Sequence, residues 1–505
     1  MDLSQVYEYV SNADVSGVAI NTPLYQANII SKRYNNNVYI KREDLQPVFS
    51  FKCRGAYNKI RQLSNHERSN GIIAASAGNH AQGVAMSAQI LNLDATIVMP
   101  QTTPPIKVNA VRAYGVTVIL NGDSYDDAYA HAQELANAQN KTFIHPYDDI
   151  DVIAGQGTLA SEILDQLSEP IDYVFVAVGG GGLLAGVLAV FKTISPLTKV
   201  IAVEPENSNC LGAALAAQER VILDTVGIFA DGVAVRQIGA LPFDIIQPHL
   251  DDYITVSTDE ICAAIKDIYD EFRSIVEPAG ALSLAGFKAY SRNHNLKQKN
   301  IVTINCGANM NFDRLRHVAE RTDIGENKEL LFSVELPEEP GALFEFCKSI
   351  GHRTITEFNY RFQSNAVAKI FVGIENSAEL SDLLHSLEVK GYKFYDLSSN
   401  ECAIIHVRHM IGGRPKESNL NEKIYRFQFP ERPGALGEFL SNLNHQWNIT
   451  LFHYRNHGAA FGRVLVGFDV PAESEKYFLH TLNATSFKFT DETNNIAIKE
   501  LLQNE

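Results

Sequence analysis

Cysteine is scarce and scattered: six in 505 residues, at positions 53, 210, 262, 306, 347 and 402, with no C-x-x-C and no regular spacing. That pattern excludes a disulfide framework and a thiolate metal knuckle, and it is how a reduced, cytoplasmic protein looks. Positive charge is also in deficit. Lys and Arg number 43 against 59 Asp and Glu, a net charge of −16, and acids outnumber bases on both sides of residue 330. Phosphate backbones and anionic lipids demand the opposite balance, so nucleic acid and membrane surfaces are excluded as partners. The start, Met1–Val10, carries Asp2 and Glu8 and lacks the layout of a secretory signal. One long uncharged run exists, Tyr173–Phe191, 19 residues, which approaches membrane-spanning length. Four consecutive glycines break it, so a buried strand, a turn and a buried helix are expected instead.

The length allows about three domains. Residues 1–320 alternate short apolar β-type runs with helical patterns, which predicts an α/β fold with a largely parallel sheet and binding sites at the carboxyl ends of its strands. Expected strands are Val38–Lys41, Gly71–Ala75, Ala95–Met99, Thr117–Leu120, Tyr173–Val178, Val200–Glu204 and Ile301–Asn305. Expected helices include Gly55–Leu63, Ala81–Leu91, Ile106–Tyr114, Ser124–Gln139 and Thr258–Glu271.

Beyond a polar connector the pattern changes and repeats. Glu338-Glu-Pro-Gly-Ala-Leu-Phe-Glu-Phe346 returns as Glu431-Arg-Pro-Gly-Ala-Leu-Gly-Glu-Phe439, and Thr356-Glu-Phe-Asn-Tyr-Arg361 returns as Thr450-Leu-Phe-His-Tyr-Arg455. The offset slips by one residue between the two matches. This is a domain-sized duplication, each copy reading β-α-β-β-α-β, the ferredoxin-like arrangement. The copies are expected over residues 329–400 and 422–493.

Four segments of the first part carry candidate chemistry. Lys52 lies in Ser50-Phe-Lys-Cys-Arg-Gly-Ala56. Desolvated or beside positive charge, as beside Arg54, its amine would lose its proton and attack carbonyls; the alternative is a surface lysine at a helix start. Ser76-Ala-Gly-Asn-His80 joins a strand to a helix, and the unpaired N–H groups there favour an anion such as a substrate carboxylate. The substrate-binding set is therefore Ser76, Ala77, Gly78, Asn79 and His80, unless Ser76 merely caps the helix. Gly179, Gly180, Gly181, Gly182 and Leu183 also follow a strand and could cradle a phosphate. The same run fits G-x-G-x-x-A with Glu204 downstream, which keeps a nucleotide-binding oxidoreductase open. Cys306 follows the last strand and by itself is a core residue, a nucleophile or a weak partner for a ligand nitrogen. Glu277 looks like an ordinary helix-start acid unless the site is near.

Together these segments resemble the fold-type II pyridoxal-phosphate enzymes, specifically the biosynthetic threonine dehydratases, over essentially the whole chain. The resemblance implies a two-lobed, tryptophan synthase β-like catalytic domain followed by two ACT-like subdomains. It implies that Lys52 carries pyridoxal 5'-phosphate as a Schiff base, that Asn79 binds the pyridine 3-oxygen, and that Gly179–Leu183 hold the phosphate. Cys306 stands where the family commonly places a serine facing the pyridine nitrogen, a departure that keeps a neutral partner. Ala77 stands where related serine racemases carry a serine, so elimination without racemisation is expected. No metal is expected. The implied reaction converts L-threonine, or alternatively L-serine, and the implied effectors are isoleucine and valine. Gly341, Leu343, Gly434 and Leu436, in the two Pro-Gly-Ala-Leu loops, are the candidate effector contacts, because such loops expose N–H groups suited to an amino-acid carboxylate. The family also implies a homotetramer.

Overall fold

Runs of β-branched and small apolar residues form the strands that fill the first part of the chain. In chain order they are β1 (Leu24–Gln26), β2 (Asn37–Arg42), β3 (Ile72–Ala75), β4 (Ala95–Met99), β5 (Thr117–Leu120), β6 (Thr142–Phe143), β7 (Tyr173–Ala177), β8 (Lys199–Pro205), β9 (Asp252–Val256) and β10 (Asn300–Asn305). These positions come from a computed structural model that describes residues 2–325, 329–337, 346, 349, 355–360, 367–375, 380–409, 421–430, 447–455 and 461–502. The chain divides into two compact units, Met1–Val318 and Ala319–Glu505.

The first unit has two lobes. One is built on a six-stranded sheet ordered β1-β2-β10-β7-β8-β9, the other on a four-stranded sheet ordered β5-β4-β3-β6. All pairings are parallel except β1 with β2. Strands covered on both faces read as continuous apolar runs, which is why β4, β7 and β10 were legible. β1, β6 and β9 were not expected: two are very short, and β9 is an edge strand opening on exposed Asp252 and Tyr253. The uncharged run Tyr173–Phe191 is β7, the glycine turn and the helix Gly182–Ile194, all within the main core. Among the described residues no helix is long and apolar enough to cross a membrane.

Parallel order puts the carboxyl ends of β3, β7 and β10 at Ser76, Gly179 and Cys306. The helix expected over Gly55–Leu63 runs Lys52–Arg61, so Lys52 is its first residue. Close helix packing sets its position. A Cβ on Gly83, in the helix Asn79–Leu91, would lie 3.0 Å from the Lys52 carbonyl carbon, so a side chain there would push the two backbones apart.

The second unit holds two antiparallel sheets. One contains β11 (Glu329–Pro337), β12 (Ile355–Tyr360), β13 (Val367–Glu375) and β14 (Phe394–Asp396), ordered β12-β13-β11-β14. The other contains β15 (Glu422–Pro430), β16 (Asn448–Arg455), β17 (Phe461–Asp469) and β18 (Lys488–Asp491), ordered β16-β17-β15-β18. Both orders are ferredoxin-like, as expected. The copies agree down to irregularities: the register shifts between Ile355 and Glu357 in one and between Ile449 and Leu451 in the other, a β-bulge at equivalent threonines. Gly341, Leu343, Gly434 and Leu436 lie outside the described residues.

Strand alternation gives each copy two apolar faces. Leu330, Phe332, Val334 and Leu336 close a private core in the first copy, as Tyr425 and Phe427 do in the second. The intervening side chains build a common core from matched positions: Leu331 with Ile424, Phe371 with Leu465, Cys402 with Ala497 and Val407 with Leu502. Asn400 and Asn495, which cap equivalent helices, bond each other at 3.1 Å. Two copies of one sequence thus pack isologously within a single chain. Phe371→Ala, in this common core, is expected to cost the second unit about 3–5 kcal/mol. Hydrogen exchange should then accelerate across residues 422–430 as well as 329–337; acceleration confined to the first copy would contradict a common core.

Candidate active site

Lys52 sits where the six-stranded lobe, the helix Asn79–Leu91 and the segment after β6 meet. Its Nζ donates to the Pro146 carbonyl at 2.9 Å. Burial pushes its amine down to about 8, although Cys306 and Glu277 nearby favour the charged form. Arg54 plays no part in this, contrary to the sequence expectation. It points away from the amine into a buried charge cluster, donating to Glu43 at 2.8 and 2.9 Å and to Glu162 at 2.6 and 2.9 Å. Lys41 Nζ completes the cluster, bonding Glu162 at 2.6 Å. The guanidinium charge is therefore neutralised locally, and desolvation alone lowers the lysine.

The Ser76–His80 loop leaves β3 and opens the helix Asn79–Leu91. Gly78 N–H donates to Ser76 Oγ at 3.3 Å, while the N–H groups of Ala77, Asn79 and His80 find no acceptor among the described residues. A Cβ on Gly78 would meet nothing within 4 Å, so the loop borders open space. His80 Nε2 donates to the Ile144 carbonyl at 2.9 Å, and burial pushes its ring down to about 3, which fixes a neutral tautomer with Nδ1 as an acceptor. Free backbone donors bordering open space at a helix start suit an anion.

The glycine cluster turns between β7 and the helix Gly182–Ile194. Gly181 has φ +91°, which side chains rarely adopt, and a Cβ on Gly180 would fall 2.2 Å from the Tyr147 ring. The N–H groups of Gly179, Gly180 and Gly181 have no acceptor among the described residues, which is the composition of an anion nest. Tyr147 belongs to the segment whose Pro146 carbonyl holds Lys52, so one short stretch ties the lysine to the nest. The dinucleotide alternative fails here. Glu204 is fully buried and accepts the N–H groups of Leu211 and Gly212, each at 2.8 Å, so it has no free oxygen to offer a ribose.

Cys306, next to β10, is buried, and burial pushes its thiol well up, so it stays neutral. Its Sγ lies 3.6 Å from the Ile304 carbonyl oxygen. Glu277 proves to be near the site after all. Asn79 Nδ2 donates to Glu277 Oε1 at 2.5 Å, and Asn309 Nδ2 donates to Asn79 Oδ1 at 2.6 Å. Asn309 stands in the same segment as Cys306, but nothing local marked it as a partner of Asn79. Lys107 and Arg314 flank this group, both paired with Asp231, at 2.8 and 3.3 Å. Among the described residues no cluster of His, Cys, Asp or Glu could hold a metal ion.

Pyridoxal phosphate fits these residues. It needs an amine of low basicity and a phosphate cradle, and Lys52 and Gly179–Gly181 meet those needs. Unpartnered buried polar atoms occur on the same segments: Ser50 Oγ beside Lys52, His80 Nδ1, and both amide atoms of Asn305 beside Cys306. Buried groups left without partners are rare, and their gathering here marks ground laid out for a polar ligand.

Known proteins agree with this chemistry. Residues 15–307 match the family described as "Pyridoxal-phosphate dependent enzyme", and residues 320–407 and 413–502 match the "C-terminal regulatory domain of Threonine dehydratase". The chain is 48% identical over 498 residues to the L-threonine dehydratase biosynthetic IlvA of Burkholderia multivorans, covering 98% of each chain. It is 49% identical over 496 residues to the corresponding protein of Escherichia coli strain K12, covering 98% of this chain and 96% of that one. The solved structure of the processed form of threonine deaminase isoform 2 from Solanum lycopersicum superposes with a TM-score of 0.62 at 49% identity, covering 63% of this chain and 93% of that one. The chain therefore belongs to the family of biosynthetic threonine dehydratases, pyridoxal-phosphate dependent enzymes with a C-terminal regulatory domain.

Proposed function

We propose that this chain deaminates L-threonine to 2-oxobutanoate and ammonia, the first step of isoleucine biosynthesis, under feedback control from its tail. The observation that carries this is the amine of Lys52, pushed down to about 8 and held between two sets of uncommitted N–H groups. Bound pyridoxal phosphate supplies an electron sink for the α-carbon of an amino acid joined to it. Lys52 would hold it covalently, with Asn79, Gly179, Gly180, Gly181, Gly182 and Leu183 as further contacts and Cys306 toward its ring nitrogen. The loop Ser76–His80 takes the substrate carboxylate. Released when the substrate amine takes its place, Lys52 in its neutral form, which grows as pH rises toward 8, accepts the α-proton. Threonine loses this proton and its β-hydroxide, which together leave as water; the enamine that remains tautomerises to an imine, and hydrolysis of that imine gives 2-oxobutanoate and ammonia. Ala77 has only a methyl group, so no acid stands there to return a proton to the opposite face.

Residues 1–320 form the catalytic part in this proposal, and 329–400 and 422–493 form two regulatory copies. Isoleucine and valine are their ligands, with Gly341, Leu343, Gly434 and Leu436 as contacts. The assembly is a homotetramer. The duplicated fold and the division of the chain near residue 318 support a separable regulatory part. An effector acts only through differential affinity for two states of the enzyme.

Borohydride reduction of the cofactor-loaded protein should place a label on Lys52, and Lys52→Ala should lower 2-oxobutanoate formation by about a hundredfold or more. A colourless protein with no labelled lysine would remove the proposal. A lysine lowered from its ordinary value gains its neutral form as pH rises. Cofactor uptake by the stripped protein should therefore climb between pH 6 and 9 with a midpoint near 8, where an ordinary lysine would still be climbing past 10. Chiral analysis should find no D-allo-threonine from L-threonine, and no D-serine from L-serine, after long incubation. Isoleucine should depress turnover of the full chain, and threonine and serine assayed side by side decide the preferred substrate.

A further inference from the structure

Three side chains far apart in sequence lock together beside Lys52. A carboxamide has one carbonyl acceptor and two N–H donors. In Asn79 the acceptor takes Asn309 Nδ2 at 2.6 Å, and one donor is given to Glu277 Oε1 at 2.5 Å. Both partners enforce the same orientation: an ionised carboxylate cannot donate, and Asn309 Nδ2 is itself anchored by the Val48 carbonyl at 2.9 Å. Flipping the Asn79 amide would break both bonds, and one N–H is left over.

Glu277 forgoes its local role to do this. It occupies the position before the helix Pro278–His294, where a short polar side chain normally bonds the first N–H groups, yet it makes no such bond. Its backbone N–H donates to the Gly307 carbonyl at 3.2 Å, and a Cβ on Gly307 would fall 2.6 Å from its Oε1. The carboxylate is 3% exposed and turned toward Asn79.

We infer that Glu277 and Asn309 are positioning residues that lock the Asn79 amide so that its remaining N–H is presented to the ring oxygen of bound pyridoxal phosphate. This rests on the function proposed above and deepens it. Around Glu277 stand Asp231, which disfavours its charge, Lys107 and Arg314, which favour it, and Lys52 and Cys306 on the side of the site. Burial first, then Asp231, pushes its carboxyl up to about 7. The charge on the lock therefore changes within the working pH range, being lost as pH falls through 7.

The test uses the full-length protein, stripped of cofactor and titrated with pyridoxal phosphate, with binding and the visible absorption band as readouts. Labelling of Lys52 in the wild type is checked first, since its absence would defeat the functional assignment without reference to any variant. Glu277→Ala and Asn309→Ala should each weaken cofactor binding by about tenfold or more and shift the band. Glu277→Gln keeps an acceptor and should stay within about threefold, but lose the change in the band that the wild type shows between pH 6 and 8. Wild-type affinity and an unmoved band in Glu277→Ala would overturn the inference. So would equal damage from Gln and Ala at 277, which would mean that charge and not amide geometry matters. If Glu277→Ala does not fold, an unaltered Asn309→Ala protein suffices to overturn it.

Discussion

Arg54 is enclosed by Glu43 and Glu162, with Lys41 closing the group from behind. Arg54, Glu43 and Lys41 have no measurable exposure, so their charges are tolerable only because each is paired and hydrogen-bonded. Removing one partner from such a group costs about 3–5 kcal/mol. The group joins the end of β2, the helix Lys52–Arg61 and the helix Ile150–Gln166. Lys52 is two residues from Arg54 on that helix, so this lattice fixes the helix start and with it the reactive amine. The charge therefore acts on geometry. The basicity of Lys52 is set separately, by burial.

Around that fixed point the smaller sheet contributes one strand end and the larger sheet two. β3 delivers the Ser76–His80 loop from the smaller lobe, while β7 and β10 deliver the glycine nest and Cys306 from the larger one. Contacts made possible by missing side chains bring them close, Gly83 against Lys52 and Gly180 against Tyr147. Electrostatics at the centre is then dominated by desolvation. It lowers Lys52 and His80 and raises Glu277 and Cys306, which keeps His80 and Cys306 neutral and leaves Lys52 and Glu277 to titrate near 8 and 7. A threonine dehydratase needs this combination: an amine free to bond a carbonyl carbon, and N–H groups free to hold anions.

Much of this was legible in the sequence where the signal is local. The strand ends before Ser76, Gly179 and Cys306 follow from apolar runs stopped by glycine or small polar residues. The duplication was legible because equivalent positions repeat, and it extends to a β-bulge at the same threonine in each copy. Arg54 was read in the wrong role, since chain proximity to Lys52 says nothing of which way a helix turns it. Glu277 looked like a helix-start acid, and Glu204 like a ribose contact. Both assignments needed the knowledge of what lies across the fold.

The sequence by itself determined the order of the main elements, the family, the candidate lysine and the two turns at which backbone N–H groups are left free. These depend on residues within a few positions of one another, where periodicity and backbone geometry act. Only the tertiary structure decided what lowers the lysine, how the Asn79 amide is turned, and that the tail copies share a core. Desolvation and side-chain hydrogen bonds are set by neighbours far along the chain, 94 positions for Lys52 and Pro146 and 230 for Asn79 and Asn309, and one chain read end to end carries no record of those distances.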